Sequence, residues 1–212
     1  MRAALSFRSW WGGACLLAGV AVASYFFVDK VIAYALFPYV LAFPWIKTVA
    51  SYLVDPVWCV ILTLCLWCGG VALGKGRWRS AWLLLCTTQV VGAGCVQVAK
   101  CLLGRARPHL LIEQGLYGFC GGHAERAFHS FPSGHGMAAM ALGWCAATLY
   151  PRQRFPIMTW ASCAALGRVL ASCHFLSDVV ATTLVALLLT KGVCYFLSPH
   201  PLEGDWESTP LS

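Results

Sequence analysis

Six apolar runs divide this chain: Trp10–Val28, Val57–Leu73, Ala81–Ala99, Gly134–Tyr150, Phe155–Cys173 and Val179–Leu197. Each is close to the ~20 residues that an α-helix needs to cross the hydrocarbon core of a bilayer. The pattern predicts one all-α domain over residues 1–212, a polytopic membrane protein with six transmembrane helices. Composition agrees, with 59% hydrophobic and 11% charged residues and a mean hydropathy of +0.71. A water-soluble domain of this size needs more polar surface than that. The formal net charge of +7 does not point to nucleic acid. The basic residues sit in short patches between the apolar runs, where membrane topology puts them, rather than along one face.

Those patches orient the chain. Arg2 and Arg8 precede the first run, Lys75, Arg77 and Arg79 separate the second from the third, and Arg152 and Arg154 separate the fourth from the fifth. In a six-span layout all three places fall on one side, which the positive-inside rule makes cytoplasmic. Lys191 snorkels to that side and the acidic tail Glu203, Asp205, Glu207 follows it. Arg2 and Arg8 before an apolar stretch also resemble the start of a leader. Trp10–Val28 is long for one and no small-x-small cleavage site follows, so it reads as a retained span. The segment Val31–Val54 is apolar but interrupted by Pro38 and Pro44 and holds Lys47, which favours a hairpin or an interfacial helix over a span. Most of the 12 cysteines lie inside the runs and act as small hydrophobes, including the Cys65–Cys68 pair. Cys101 and Cys120 are compatible with a disulfide on an oxidising face and equally with free thiols.

The non-cytoplasmic side receives the polar residues that topology does not explain, and three strings there carry chemistry. The first runs from Lys100 to Arg107-Pro108, the second is Phe131-Pro132-Ser133-Gly134-His135, and the third runs from Arg168 through His174 to Asp178. Lys100, Arg107 and Arg168 are three cations at the outer ends of spans, and cations gathered there need an anion. Guanidinium groups match phosphate oxygens with a planar fork. Arg168 also interrupts an apolar run, and charge inside a membrane segment is functional by default. Ser133 and Gly134 open a helix whose free N–H groups favour an oxyanion. His174 and Asp178 stand four apart, so on a helix they share a face. A carboxylate on one ring nitrogen would fix the tautomer and leave the other nitrogen free to attack. His174 is then the nucleophile, and His135 the acid that protonates the departing alkoxide and later activates water. The cations supply the charge, so neither metal nor cofactor is called for. Arg105 reads as a supporting charge, and His109, His123 and His129 as loop residues without zinc spacing.

Together the strings resemble the signature of the type 2 phosphatidic acid phosphatase superfamily: Lys, six residues, Arg-Pro; then Pro-Ser-Gly-His; then Ser-Arg, five residues, His, three residues, Asp. Lys100, Arg107-Pro108, Pro132–His135, Arg168, His174 and Asp178 fit, and Gly167 stands where the signature has Ser. The resemblance implies a six-helix fold with its active site at the non-cytoplasmic interface. It implies a phosphohistidine at His174, acid–base work by His135, and phosphate binding by Lys100, Arg107, Ser133, Gly134, His135 and Arg168.

The expected function is hydrolysis of a membrane lipid phosphate. Phosphatidic acid, phosphatidylglycerol phosphate, undecaprenyl pyrophosphate and lipid A 1-phosphate all place phosphate in the headgroup layer that the site faces. Short loops suggest a bacterial inner membrane with the site toward the periplasm. The partners are the lipid substrate and the bilayer, with no nucleic acid, and oligomeric state is not legible. A phosphotransferase delivering the group to a second lipid would use the same residues. An anion or lipid transporter would use the cations without needing the His174–Asp178 pair. A haloperoxidase shares such a pocket on a soluble protein. The Val31–Val54 segment is a candidate wall of the lipid entrance, through Phe37 and Trp45.

Overall fold

The computed structural model describes residues 2–52, 54–73, 76–122 and 124–197. Lys75, His123 and the tail residues Glu203, Asp205 and Glu207 lie outside the described residues, as do the side chains of Arg2, Arg8, Arg77 and Arg79. Among the described residues the regular structure is helical, apart from isolated bridges joining Arg105 to Phe119 and to His129.

The first apolar run does not stop at Val28. Helix α1 (Arg2–Ala23) passes through a π-helical turn (Ser24–Val28) into α2 (Asp29–Ala42), with Pro38 accommodated inside α2. The apolar stretch Trp11–Ala42 is 32 residues long. At 1.5 Å per residue that is about 48 Å, well beyond a ~30 Å hydrocarbon core. The segment expected to be a hairpin or surface helix therefore begins as an extension of the first helix. It turns only at Phe43 and Pro44, where the Phe43 N–H closes on the Tyr39 carbonyl at 2.9 Å. The short helix α3 (Trp45–Tyr52) follows, then α4 (Pro56–Ala72). Asp55 starts α4 as an N-cap, accepting from the Val57 and Trp58 N–H groups at 2.9 and 3.3 Å, with Pro56 in the first turn.

The remaining helices are α5 (Gly76–Leu103), α6 (Pro108–Gln114), α7 (Gly134–Leu149), α8 (Arg154–Leu170) and α9 (Leu176–Leu197). Among the described residues, four stretches are long and apolar enough to cross a membrane: Trp11–Ala42, Trp45–Ala72, Ala81–Leu103 and Leu176–Leu197. The other two expected spans are helical but short, with 16 residues in α7 and 17 in α8.

Helix α7 is the centre of the bundle, packed by α5, α8 and α9, while α1 lies along α9 and α4 along α5. Its buried residues are small or flexible: Gly136, Met137, Ala138, Ala139, Met140, Ala141, Gly143 and Cys145. In an apolar solvent helices associate by close packing rather than by hydrophobic burial, and small residues permit the approach. Gly143 makes the case, since a Cβ there would stand 2.6 Å from that of Ala161 on α8. The large apolar side chains Phe26, Phe27, Trp58, Tyr195 and Phe196 point outward instead. All 12 cysteines are free, with Cys101 and Cys120 both exposed.

The topology brings the C-terminal ends of α5 and α8 together with the N-terminal ends of α7 and α9. Only residues 104–133 and 171–175 intervene, so the three chemical strings gather at one end of the bundle.

Candidate active site

The cations come from helix ends. Lys100 lies in the last turn of α5, Arg107 at the N-cap position of α6, and Arg168 in the last turn of α8. Arg168 is buried and donates from Nη1 to the Ser51 hydroxyl at 2.8 Å, so α3 reaches the site. Arg107 and Arg168 each have a buried Nε without a hydrogen-bond partner, as does Arg105. Burial pushes the Arg107 guanidinium below its ordinary value, and the neighbouring Arg168 and Arg126 cations push the same way against Cys173 and Asp178. Surplus positive charge with unpaired donors is the electrostatic condition for holding an oxyanion.

The start of α7 is braced for a ligand to approach. Ser133 is fully buried; its hydroxyl accepts from the Gly136 N–H at 3.2 Å, and its own N–H donates to Thr182 Oγ1 on α9 at 3.0 Å. A Cβ built on Gly134 would lie 3.6 Å from Lys100 Nζ, which puts the ammonium against the first turn of α7. His135 follows on that turn, half-buried and within electrostatic reach of Arg168, Lys100 and Arg107.

His174 is buried, and its Nδ1 lies 2.6 Å from the Ser130 carbonyl oxygen. A carbonyl only accepts, so Nδ1 carries the proton and Nε2 keeps its lone pair. Burial drives the imidazole well below its ordinary value, and Arg107, Arg168 and Lys100 add to that, so the ring is neutral. The sequence suggested a carboxylate as the orienting partner. The structure gives that place to the Ser130 carbonyl, with Asp178 Oδ2 3.9 Å from Nδ1. The reason is local: α9 begins at Leu176, so His174 stands before the helix and does not share a helical face with Asp178. The Asp178 carboxylate instead accepts from the Phe175 N–H at 2.9 Å, from the Ser130 hydroxyl at 2.7 Å and from Arg105.

Arg105 proves more central than a supporting charge. It is 1% exposed. One end of its guanidinium pairs with Asp178 and the other with Asp29 on α2 at 2.7 Å. Burial alone would lower its pKa, but Asp178 and Asp29 outweigh that and hold it above its ordinary value. The rings of Tyr25, Tyr117, Phe119 and Phe175 surround it at 4.7–5.6 Å. Asp29, Ser51 and Ser130 were not singled out in the sequence. The one signal for Asp29 is an acid set between the apolar stretches Trp10–Val28 and Val31–Val54, and nothing marks a backbone carbonyl.

The bundle thus combines an apolar exterior with cations and a buried imidazole gathered at one end. The family model of the PAP2 superfamily matches residues 81–200, and the chain belongs to that superfamily. This bears out the resemblance read from the three strings. Among curated proteins, the lipid A 1-phosphatase of Rhizobium etli is 35% identical over 104 residues, covering 49% of this chain and 44% of that protein. The lipid A 1-phosphatase of Rhizobium johnstonii is 34% identical over 104 residues, covering 49% and 42%. The matches thus span less than half the length of these relatives. No solved structure matches.

Proposed function

We propose that this chain is a lipid phosphate phosphatase of the bacterial inner membrane, with six membrane-crossing helices and its site facing the periplasm. The observation that carries the reading is His174, with Nδ1–H held by the Ser130 carbonyl at 2.6 Å and Nε2 free beside three cations. The Nε2 lone pair attacks phosphorus and the P–O bond to the lipid breaks. His135 gives its proton to the leaving oxygen, and a phosphohistidine remains. His135 then takes a proton from water, whose oxygen attacks phosphorus; the P–N bond breaks and inorganic phosphate leaves. Lys100, Arg107, Arg168 and the turn opened by Ser133, with its Gly134 N–H, hold the equatorial oxygens, where charge builds in the transition state. In this scheme the protein's own cations do the work that a metal would do elsewhere.

Helices α7 and α8, at 16 and 17 residues, are about 24–26 Å long and cross if the bilayer is thinned or the flanking Arg152 and Arg154 snorkel. Among the four candidate lipids, lipid A 1-phosphate is favoured by what the two curated relatives are called. The test is phosphate release by purified protein in detergent with EDTA, over the four lipids, beside His174→Ala. Release from one lipid, lost in the variant, is the expected result. Transfer of phosphate to a lipid without release would make the chain a phosphotransferase, and lipid binding without either reaction would make it a carrier.

A further inference from the structure

Three buried ions stand behind the nucleophile: Asp29, Arg105 and Asp178, each no more than 1% exposed. The reaction scheme uses Asp178 only as a neighbour of His174 and uses Asp29 and Arg105 not at all. Their connections are nonetheless directed at the site. The Arg105 carbonyl accepts from the Ser130 N–H at 3.0 Å, the Ser130 hydroxyl donates to Asp178 at 2.7 Å, and the Ser130 carbonyl accepts a hydrogen bond from the His174 Nδ1–H. Arg105 therefore holds both the carboxylate and the backbone group that fix the imidazole. Asp29 in turn holds Arg105, and also accepts from the Ser177 N–H at 2.9 Å and from the hydroxyls of Ser177 and Tyr117.

The helix carrying Asp29 is built to deliver it. The Asp29 N–H closes the π-helical turn on the Ser24 carbonyl, and the turn leaves the Tyr25 carbonyl to accept from the Tyr117 hydroxyl. An extra residue in a helix shifts the phase of everything after it, and such turns favour functional positions. Here the shift sets Asp29 against Arg105.

Charge explains why two carboxylates are needed. His174 is neutral before attack and becomes cationic as Nε2 bonds to phosphorus. A carboxylate 3.9 Å away stabilises that cation only if its charge is not already cancelled. Arg105 paired with Asp178 alone would cancel it. With Asp29 present the three ions keep one net negative charge. We infer that Asp29 and Arg105 are positioning residues for the reaction at His174, with Asp29 offsetting Arg105 so that Asp178 faces the imidazole with its charge intact. This rests on the proposed phosphatase function and adds a requirement to it.

The test compares wild type, His174→Ala, Asp29→Asn and the double variant Asp29→Asn/Arg105→Gln, on whichever of the four lipids the wild type hydrolyses, with thermal unfolding in the same detergent. Asp29→Asn leaves the cluster neutral, and kcat falls on the order of tenfold to thirtyfold at an effective dielectric of about 20, with KM unchanged. The double variant restores the single negative charge, and kcat returns to within about threefold of wild type. A folded Asp29→Asn protein with wild-type kcat overturns the inference while leaving the phosphatase reading intact. So does a double variant as slow as the single one, because a purely structural pair predicts no recovery. If Asp29→Asn fails to fold, the double variant decides by the same criterion; if both fail, the pair is scaffold and the inference falls. A wild type that releases phosphate from no lipid removes the phosphatase reading and the inference with it.

Discussion

Arg105 and Arg107 are two residues apart and belong to opposite compartments. Arg105 is caged by rings and paired at both ends with carboxylates, and its charge is strengthened by them. Arg107 has cations for neighbours and a pKa pushed down by burial and by those cations, and its buried Nε, like that of Arg105, finds no partner. His174 stands between the two. In one compartment the charges are paired within the protein, and removing a partner from such a buried pair costs several kcal/mol because the other charge is stranded. In the proposed scheme the other is completed by an anion. A single loop thus carries one arginine paired within the protein and, two residues on, one that the proposed scheme gives to the phosphate.

The sharpest way to break this comparison is at the residue between the compartments. His174→Ala is expected to lower phosphate release on the order of 10⁴-fold or more, since loss of a covalent nucleophile removes the reaction path and not one contact. A residual rate within a factor of about ten of wild type would end the phosphohistidine scheme. The next largest effect belongs to the cationic side. Arg168→Lys keeps the charge but loses the fork and the Ser51 contact. It is expected to cost on the order of 10²-fold in kcat/KM, in the range found when one transition-state donor is removed. Vanadate, which imitates the transferring phosphoryl group, should inhibit wild type and bind this variant more weakly; equal inhibition would place Arg168 outside the cradle.

The pH profile sharpens the comparison further. Free histidine titrates near 6.5. Burial and the cations Arg107, Arg168 and Lys100 hold folded His174 well below that, so Nε2 stays unprotonated at pH values where a free imidazole is charged. The acid limb of kcat/KM due to His174 is expected below 6.5. Stability follows the same sign. The unfolded chain takes up a proton at this histidine below about 6.5 while the folded one resists it, so the contribution of neutral His174 is full above that pH and declines below it. Replacing Lys100 by Met removes one cation and should move the acid limb upward. A limb that stays in place would mean that Lys100 does not act on His174, leaving burial, Arg107 and Arg168 to set the value.

Much of the site was legible because short motifs encode it locally. Pro132 to His135 places a helix N-terminus, and Lys100 and Arg107 fall at the end of one apolar run. The arrangement of apolar runs likewise anticipated every helix of the bundle core. What was illegible is non-local. Asp29 meets Arg105 across 76 positions, through a π-helical turn that no periodicity announces. Ser130 acts on His174 through its carbonyl, which every residue possesses. The spacing of His174 and Asp178 invited a helical reading, yet the helix starts between them and Asp178 serves its first turn. Ser51 belongs to a segment whose prolines argued for the membrane surface, and its link to Arg168 needs the fold to be seen.

The smallest expected effect concerns Gly167, where the family signature has Ser. Gly167 lies inside α8, and a Cβ there meets only Ala50 Cβ, at 3.8 Å, an ordinary contact. A serine therefore fits without moving α3, and leaving glycine in a helix interior sacrifices about 0.5 kcal/mol of helix propensity relative to serine. Gly167→Ser should leave kcat/KM within about twofold and raise the unfolding temperature slightly, by the few degrees that ~0.5 kcal/mol represents in a chain of this size. Arg168 already has a hydroxyl partner in Ser51, 2.8 Å from Nη1, so a second hydroxyl on the preceding residue adds little. The double variant Gly167→Ser/Ser51→Ala tests that substitution directly. If the serine restores what Ser51→Ala loses, the two hydroxyls serve one role, and α3 supplies in this chain what the signature places on α8. If it restores nothing, Ser51 acts by anchoring α3 over the cradle, and the cationic compartment depends on the N-terminal helices as much as the paired one does through Asp29.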